Sequence, residues 1–409
     1  MGHCCFNGDH IMGLMSEYIN KRMSGKQLEE ELLKYIGLYN KIRGTYLIVY
    51  SSAFNKQVPG NILLMDDYYT IFDMLRNIDS NNLDFYIETP GGSGEAAEEI
   101  VRFIRSKFDN ISFVVTGEAK SAGTIVVLSG NEILMTKSGS LGPIDAQVKI
   151  GRSVISAYDY CEWITNKRKE AEKMGGLNPF DATMIAQISP GELSGVSHGL
   201  EFAQDLVVGW LAKYKFKNWE LTETQGKKVT GEMRKQRATE IAKCLINHGK
   251  WRSHGRSLKI DDLERIGLKI TKIDDNPDLS DIVYRIQTII RLLYSSTSAY
   301  KIFANADEKI FVNALPVGER RKMPTGDVKV VEVEVKCQKC GKVHNIYTKL
   351  VDDKKIDEEF KKKSFKSFPD NNKLICDCGY EIDLSGIKNE IETQVGKKII
   401  DQKEAKNEV

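Results

Sequence analysis

The chain has 409 residues, about enough for two or three domains, and it is 41% hydrophobic and 28% charged, as in an ordinary globular protein. Its net charge of +2 excludes a general electrostatic attraction to nucleic acid or to a membrane surface. No apolar run of about 18 residues predicts a spanning helix, and the N-terminal residues include no apolar signal region, so we expect a cytoplasmic protein without a membrane partner.

The first part of the chain alternates between helical and strand-like patterns. Apolar residues at three- and four-residue spacings predict helices over 14–40, 65–78 and 94–108. Runs rich in β-branched and aromatic residues predict strands over 45–53, 82–92 and 111–117. Strands that alternate with helices favour crossover connections and a largely parallel sheet, so the predicted fold class is α/β.

The rest of the chain is mainly helical and then changes character. Helices are predicted over 198–216, with Ser197 as its N-cap, and over 231–247 and 280–303. Past about residue 305, the run VKVVEVEV alternates like an exposed strand, and the last residues are rich in Lys and Glu. We therefore predict a helical segment over 1–40, a main domain over 41–305, a small β module over 306–395 and a charged tail over 396–409.

Two loops that follow neighbouring predicted strands carry the residues of a candidate site. TPGG spans residues 89–92, and KSAGT begins at Lys120. A lone Pro-Gly-Gly is usually only a tight turn, but the carboxyl ends of parallel strands meet at one edge of a sheet. The backbone N–H groups of Gly92 and Ala122 could then converge on one oxygen, as in an oxyanion hole. Ser121 is either a cap of the following helix or a nucleophile.

Several motifs between about residues 40 and 270 together carry a family resemblance: TPGGSGEAAEEI, AKSAGTIVVLSG, SGSLGPIDAQ, SHGLEFAQDLV and WRSHGRSL followed by ERIGLKI. Their order resembles the Clp protease and crotonase superfamily, and more narrowly the serine dehydrogenase proteinase family with its signal peptide peptidase A-like relatives. The resemblance implies a Clp/crotonase-like ββα superhelix core with helical additions and a serine peptidase activity. It also implies that Ser121 is the nucleophile and that Gly92 and Ala122 are the oxyanion donors.

The base that would activate Ser121 departs from the pattern of these relatives. In Clp-type subunits a His follows the serine by some two dozen residues, and here that region holds Asp145. One interpretation makes His254, which lies upstream of ERIGL, the base and Asp145 its carboxylate, since the same roles recur in different chain orders. His248 is the second choice for the base, and His198 is the third.

A second interpretation is a Ser-Lys dyad, as in signal peptide peptidase A-like enzymes, which requires a desolvated lysine. Lys120 is adjacent in sequence, and Lys167, Lys169 and Lys173 follow in a charged run that is typical of a solvated helix face. A third interpretation is a scaffold with weak or lost hydrolytic activity, in which Asp145 is only a structural acid of its loop.

Four cysteines near the C-terminus are spaced like metal ligands. CQKCGKVH contains Cys337 and Cys340, and LICDCGYE contains Cys376 and Cys378. Four thiolates predict a structural zinc ion in a zinc-ribbon-like module, with His344 as a possible substitute ligand. Such a module has few large apolar residues, so a bound metal would supply much of its stability. This use of cysteine suits a reducing cytoplasm.

The implied partners follow from these interpretations. The resemblance predicts a peptide or protein substrate and a homo-oligomer. No G-x-x-x-x-G-K-[ST] motif is present, so an unfolding ATPase or adaptor would be a separate chain. We expect no nucleic acid partner, although the lysines of 354–368 leave that role open for the zinc module. The rival functions are a partner-binding scaffold that acts through its zinc module and an acyl-CoA enzyme, which has no need for a serine at position 121.

Overall fold

The computed structural model describes residues 13–150, 153–222, 224–314, 329–337, 339–395 and 399. The chain divides into two compact units, an N-terminal unit of residues 1–315 and a C-terminal unit of residues 316–409. Apart from residue 399, the predicted charged tail lies outside the described residues.

The N-terminal unit contains both helices and strands. Its helices are α1 Leu14–Asn20, α2 Gly25–Arg43, α3 Met65–Leu75, α4 Gly94–Lys107, α5 Ala122–Val127, α6 Ala157–Met174, α7 Pro179–Ile185, α8 Pro190–Trp210, α9 Gly231–Ile246, α10 His248–Trp251, α11 Ile260–Arg265 and α12 Pro277–Ser296. Its strands are β1 Tyr46–Ser52, β2 Asn82–Glu88, β3 Asn110–Val115, β4 Glu118–Ala119, β5 Glu132–Met135, β6 Ser140–Leu141, β7 Gln147–Ile150, β8 Ser153–Ser156, β9 Thr271–Lys272, β10 Ala299–Ala304 and β11 Lys309–Asn313. In the described part of the chain, no helix combines the length and apolar character that crossing a bilayer requires.

Seven of the described strands form one sheet in the order β11-β10-β1-β2-β3-β5-β9. Strands β1, β2, β3, β5 and β9 run parallel, while β10 and β11 continue the sheet in antiparallel pairs beyond β1. Leu47 and Ile48 are neighbours on β1 that face opposite sides of the sheet, and both are fully buried, in separate apolar clusters. Helices therefore cover both faces, as a buried parallel sheet requires, and the predicted α/β class is confirmed.

The second helix, α2, belongs to the core of the N-terminal unit. Leu28, Leu32, Ile36 and Tyr39 recur at helical spacing and are buried in a cluster shared with α12 and with one face of the sheet. Ser24 forms a capping box at its start, where its hydroxyl accepts a hydrogen bond from the N–H of Gln27. The helical part of the predicted segment 1–40 thus packs as one layer of the α/β unit.

Two predicted helices have different limits in the structure. The helix predicted from residue 198 begins at Pro190, with the Ser189 hydroxyl as its cap, so the prediction of Ser197 as the N-cap is wrong. Ser197 lies inside this helix and donates to Glu201. The helix predicted over 280–303 ends at Ser296, and the residues after it form β10, because their apolar side chains complete the sheet beside β1.

The sheet also continues past residue 305, where the sequence predicts a new domain. Strand β11 pairs with β10, with Phe303 opposite Ile310, so residues 309–313 belong to the sheet of the N-terminal unit.

The C-terminal unit is small and consists mainly of strands. Its elements are β12 Val330–Lys336, β13 Val343–Lys349, α13 Lys354–Lys362, β14 Lys366–Ser367, β15 Lys373–Ile375, β16 Glu381–Asp383 and α14 Ser385–Val395. Strands β12, β13 and β14 form one sheet, and β15 pairs with β16. Its main apolar cluster has few buried members: Val335, Ile346, Phe368, Leu374 and Leu384.

Candidate active site

The two loops singled out in the sequence meet at the carboxyl edge of the sheet, because β2 and β3 are parallel neighbours. The N–H of Thr89 donates to the carbonyl of Glu118 at 2.9 Å, and the N–H of Lys120 donates to the carbonyl of Thr89 at 2.9 Å. These bonds extend the pairing of the strands into the loops and hold the Pro-Gly-Gly turn beside Ser121.

The Pro-Gly-Gly turn is packed too closely for any side chain. A Cβ on Gly92 would lie 2.2 Å from the carbonyl oxygen of Leu63. Leu63 donates its N–H to Gly91 and accepts from the N–H of Ser93, at 2.7 and 2.9 Å. In a parallel bridge of this kind the central residue directs its own N–H away from the partner. The N–H of Gly92 accordingly has no hydrogen-bond partner among the described residues.

Ser121 has a strained backbone and an unengaged hydroxyl. Its φ of 50° and ψ of −118° are unfavourable for a residue with a side chain, at a cost of about 1–3 kcal/mol. It precedes α5, but its side chain makes no capping bond, and its Oγ has no hydrogen bond within the described residues. Gly91 packs directly on it, since a Cβ there would lie 2.6 Å from the Ser121 Cβ. Capping therefore does not explain this serine.

The amide after the serine is also unpaired. The N–H of Ala122 has no hydrogen-bond partner in the part of the chain described, whereas the next N–H, of Gly123, donates to the carbonyl of Lys120 at 2.8 Å. Ala122 follows Ser121, and Gly92 follows the glycine that packs on Ser121. Both of these backbone donors are thus unengaged among the described residues.

The structure brings His254 and Asp145 together. The His254 Nδ1 lies 2.9 Å from the Asp145 Oδ1, and Gln147 donates to the other carboxylate oxygen at 3.1 Å. Asp145 is fully buried, while His254 is 27% exposed. Burial alone would raise the pKa of Asp145, but the hydrogen bond and the charge of His254 outweigh it and hold the pKa below its usual value. A proton on Nδ1 leaves Nε2 with a free lone pair.

A surface cavity of about 610 Å³ adjoins His254. Its apolar lining includes Val154 on strand β8 and Trp163 on helix α6, together with Met184 on α7. His248 also lines it, but its Nδ1 is bound to the Asp159 carboxylate at 2.6 Å. The cavity therefore combines an apolar wall with two separate His–Asp pairs.

The other basic residues considered from the sequence lie in different surroundings. Lys167 pairs with Glu170 and Asp181 at 2.9 and 2.7 Å. Lys169 and Lys173 are exposed on α6, and His198 is exposed within α8. None of these side chains is desolvated, as a lysine base near neutral pH must be.

Lys120 is buried, but its ammonium is bound away from the serine. Only 5% of the residue is exposed, and burial lowers its pKa to about 8. Its Nζ donates to oxygen atoms of Ser140 (3.3 Å), Leu141 (3.1 Å), Arg256 (3.2 Å) and Ser257 (2.9 Å). The Ser121 Oγ is not among these acceptors.

The four C-terminal cysteines converge in the C-terminal unit. Their Sγ atoms all lie within 4.8 Å of one another, in a group made of Cys337, Cys340, Cys376 and Cys378. Backbone N–H groups of residues 339 and 340 point at the sulfur of Cys337, and that of Cys340 contributes most to lowering its pKa to about 7. Four convergent thiols fit a soft metal ion.

Each cysteine pair lies in a turn that a backbone hydrogen bond from a glycine closes. The N–H of Gly341 donates to the carbonyl of Cys337, and the N–H of Gly379 donates to that of Cys376, at 2.9 and 2.8 Å. The two glycines have φ values of 77° and 80°. The turn of the C-x-C pair is thus one residue shorter than the turn of the C-x-x-C pair.

His344, the alternative ligand considered from the sequence, lies outside this group. It is buried on β13 opposite Val335. Its Nε2 is buried without a hydrogen-bond partner among the described residues.

A known protein family matches the part of the chain that contains the Pro-Gly-Gly turn and the loop of Ser121. Residues 61–174 match the model of the ClpP-like SDH-type serine proteinases. The segment includes both loops, Ser121 and Asp145, and the resemblance recognised in the sequence is confirmed over it.

Two curated relatives are uncharacterized proteins of Methanocaldococcus jannaschii. MJ1495 is 31% identical over 78 residues, which cover 19% of this chain and 27% of the relative. MJ0137 is 33% identical over 66 residues, which cover 16% of this chain and 23% of the relative. The chain thus spans only about a quarter of the length of either protein.

Among solved structures, two forms of the 1510-N membrane-bound stomatin-specific protease are similar. One mutant form has 13% identity and a TM-score of 0.30, with 54% of this chain and 79% of that chain covered. Another mutant form, in complex with a substrate peptide, has 12% identity and a TM-score of 0.30, with 62% and 83% covered.

Proposed function

We propose that this protein is a serine peptidase that cleaves peptide bonds through an acyl-enzyme on Ser121. The observation that carries the proposal is the strained turn at Ser121, whose hydroxyl has no capping role and lies against the Pro-Gly-Gly turn. A serine on a sharp, strained turn between strand and helix is typical of nucleophiles in α/β hydrolases. The match of residues 61–174 to a serine proteinase family supports the same chemistry.

In the proposed first step, the Ser121 Oγ attacks the carbonyl carbon of the peptide as its proton passes to the Nε2 of His254. Asp145 accepts the hydrogen bond of Nδ1–H and stabilises the imidazolium that forms. The carbonyl π electrons move onto oxygen, and the N–H groups of Gly92 and Ala122 donate to this oxyanion. Removal of one such donor costs about 10²–10³ in rate in enzymes where it has been tested.

Collapse of this intermediate breaks the C–N bond, and the imidazolium gives its proton to the leaving amine. Water then attacks the acyl carbon, with His254 again as base, and releases the second product and Ser121. His254 is favoured as the base over a lysine because its carboxylate partner is buried and its Nε2 has no hydrogen-bond partner among the described residues. Among the described residues His254 makes no hydrogen bond to the Ser121 Oγ, and we propose that this bond forms when substrate binds, as in many enzymes whose free form has loose catalytic hydrogen bonds.

The cavity beside His254 supports a peptide as substrate. Its apolar lining and its volume of about 610 Å³ suit a large apolar side chain close to the scissile bond. We propose that homo-oligomer formation restricts access to this site and that any unfolding ATPase or adaptor is a separate chain.

For the C-terminal unit we propose a structural zinc ion held by its four cysteines. Zinc would take the four thiolates in tetrahedral geometry, and such a closed site has no open position for catalysis. The apolar cluster of this unit is small, so the metal would supply a large part of its folding free energy.

The test is covalent labelling by a fluorophosphonate, which reacts with activated serines. The full-length protein should be labelled at Ser121, and Ser121→Ala should abolish the label. Ser197→Ala is the matched control, because that hydroxyl only bonds Glu201 on a helix surface and its loss should leave labelling unchanged. Labelling that persists in Ser121→Ala would disprove the assignment of the nucleophile.

Absence of both labelling and peptide turnover in the wild type would instead favour the rival function, a scaffold that binds partners through its metal module. The observation that favours this rival function is that the Ser121 Oγ has no hydrogen bond to a base among the described residues.

A further inference from the structure

We propose that Lys120 is a positioning residue, whose ammonium holds the segments bearing Asp145 and His254 against the turn that bears Ser121. The inference rests on the proposed peptidase function and adds a residue to it. Lys120 is not assigned a proton-transfer role here, because none of its contacts is with the serine hydroxyl.

The four acceptors of the Lys120 ammonium belong to two chain segments. Ser140 and Leu141 supply a hydroxyl and a carbonyl from strand β6. Arg256 and Ser257 supply a carbonyl and a hydroxyl from the loop that follows α10. The same two segments also pair through their backbones, since Leu141 and Leu258 exchange hydrogen bonds at 3.1 and 2.9 Å.

Each of these segments leads directly to a proposed catalytic group. Strand β6 runs into the loop that contains Asp145, four residues after Leu141. Arg256 lies two residues after His254. Lys120 is the chain neighbour of Ser121, so its side chain links the turn that bears the serine to the segments that lead to Asp145 and His254.

The surroundings of Lys120 are built for this side chain. A Cβ on Gly142 would lie 2.9 Å from the Lys120 Cδ, so the glycine leaves room for the lysine stem. All four acceptors are neutral, and a buried ammonium without a bonded carboxylate is costly. A protein keeps a buried charge despite this cost when the charge has a role. Here the four hydrogen bonds that the ammonium donates fix the positions of two chain segments.

Lys259 offers a matched comparison, because it joins the same two regions without touching the turn at Ser121. Its Nζ donates to the carbonyls of Ser138 and Gly139, and the residue is exposed. Glu118 and Lys259 are the charged groups that act on Lys120 through space.

The experiment measures the rate of covalent labelling by a fluorophosphonate, and kcat and KM for a peptide, from pH 6 to 10. Lys120→Met should lower the labelling rate and kcat by about 10²-fold with little change in KM, since small displacements of catalytic groups have effects of this size. Lys120→Arg should restore part of the rate. Lys259→Met should stay within about twofold of the wild type, because the Ser121 turn keeps its contacts.

The pH profile separates positioning from a purely structural effect. The pKa of Lys120 is lowered to about 8, so the wild-type rate should fall above that pH as the ammonium loses its charge. The arginine of Lys120→Arg stays charged, so the labelling rate of this variant should not fall until a higher pH. A double variant, Ser140→Ala with Ser257→Ala, removes two of the hydrogen-bond acceptors of Lys120 and should also slow labelling. This variant tests the proposal even if Lys120→Met does not fold.

Two results would overturn the positioning role alone. The first is a wild-type protein that is labelled together with a Lys120→Met variant whose rates are unaffected. The second is loss of activity in both Lys120 variants while His254→Ala remains active, because the lysine would then be the base. A wild-type protein that is never labelled would overturn the peptidase proposal and the positioning role together.

Discussion

Ser121 has the backbone strain expected of a functional residue, and Gly91 is the neighbour that permits it. Gly91 has a φ of 104°, and a Cβ there would lie 2.6 Å from the Ser121 Cβ and 2.9 Å from the carbonyl oxygen of Lys120. The strain is therefore paired with a close packing contact that no other residue type allows.

We predict that Gly91→Ala lowers the rate at which a fluorophosphonate labels Ser121 by about 10²-fold, because the new methyl group displaces the nucleophile. Labelling kinetics with a fluorophosphonate measure this change. Gly175→Ala is the control, since Gly175 also has a positive φ, of 76°, but has open space around it. It should cost about 1–2 kcal/mol of unfolding free energy and leave the labelling rate unchanged. Equal rates in the two variants would contradict the prediction.

The Asp145–His254 pair predicts a pH dependence of stability. The pKa of Asp145 is lowered in the folded state, so the unfolded chain binds its proton more readily. The ionised carboxylate therefore adds stability above its unfolded pKa of about 3.9, and this stability is lost as the pH falls through the lower folded pKa.

Asp145→Asn should thus lower the unfolding free energy at pH 7 by about 1–3 kcal/mol and show a smaller further loss towards pH 3 than the wild type. Urea unfolding across this pH range measures the difference. A variant that loses stability in parallel with the wild type over the whole range would show that Asp145 is not responsible.

At the scale of elements, the cavity beside His254 is formed by the β7–β8 hairpin and by helices α6 and α7. Trp163 contributes a large apolar surface to it. Trp163→Ala should lower kcat/KM for peptides with a large apolar side chain near the scissile bond by about 10-fold or more, because truncation of a buried aromatic contact removes about 1.5 kcal/mol or more of binding. The rate of labelling by a small fluorophosphonate should change little.

Phe180→Ala provides the comparison for this prediction. Phe180 lies on α7, is 73% exposed and does not line the cavity, so its loss should leave the preference for apolar peptides intact. Peptides that vary only in one side chain give the preference as a ratio of kcat/KM. If Trp163→Ala affects small polar and large apolar side chains equally, the cavity is not a specificity pocket.

Elements with strong local patterns could be predicted from the sequence. The buried strands and α4 are examples, because burial on both faces gives unbroken apolar runs and burial on one face gives a helical repeat. The start of α8 and the strand after α12 could not. Residues 190–197 belong to the helix but have mostly small and polar side chains, so they show no apolar helical repeat. Residues 299–304 are mainly apolar, which suits a helix or a strand equally, and only the pairing with β1 shows that they form a strand.

At the scale of the whole molecule, the C-terminal unit has its own apolar cluster and its own group of four cysteines. We predict that the purified chain carries about one zinc ion and that a chelator exposes the four thiols and makes this unit sensitive to proteases, because the metal supplies about 10–16 kcal/mol in comparable small modules. Metal analysis and thiol titration measure both effects.

Cys376→Ser should abolish the metal content. Cys244→Ser is the control, because this half-buried cysteine of helix α9 is not among the four clustered thiols. A full metal content in Cys376→Ser, or thiols of the cluster that react freely in the untreated protein, would refute the proposed zinc site.

The sequence by itself determined the α/β class, the two loops at one edge of a parallel sheet and the grouping of the cysteines, because each depends on local periodicity or on short spacing along the chain. Only the tertiary structure decided which groups stand together around those loops. Asp145 and His254 are 109 residues apart in the chain, and Lys120 reaches Arg256 across 136. Such contacts arise from the packing of distant segments on one sheet, and no pattern within a short stretch of sequence encodes them.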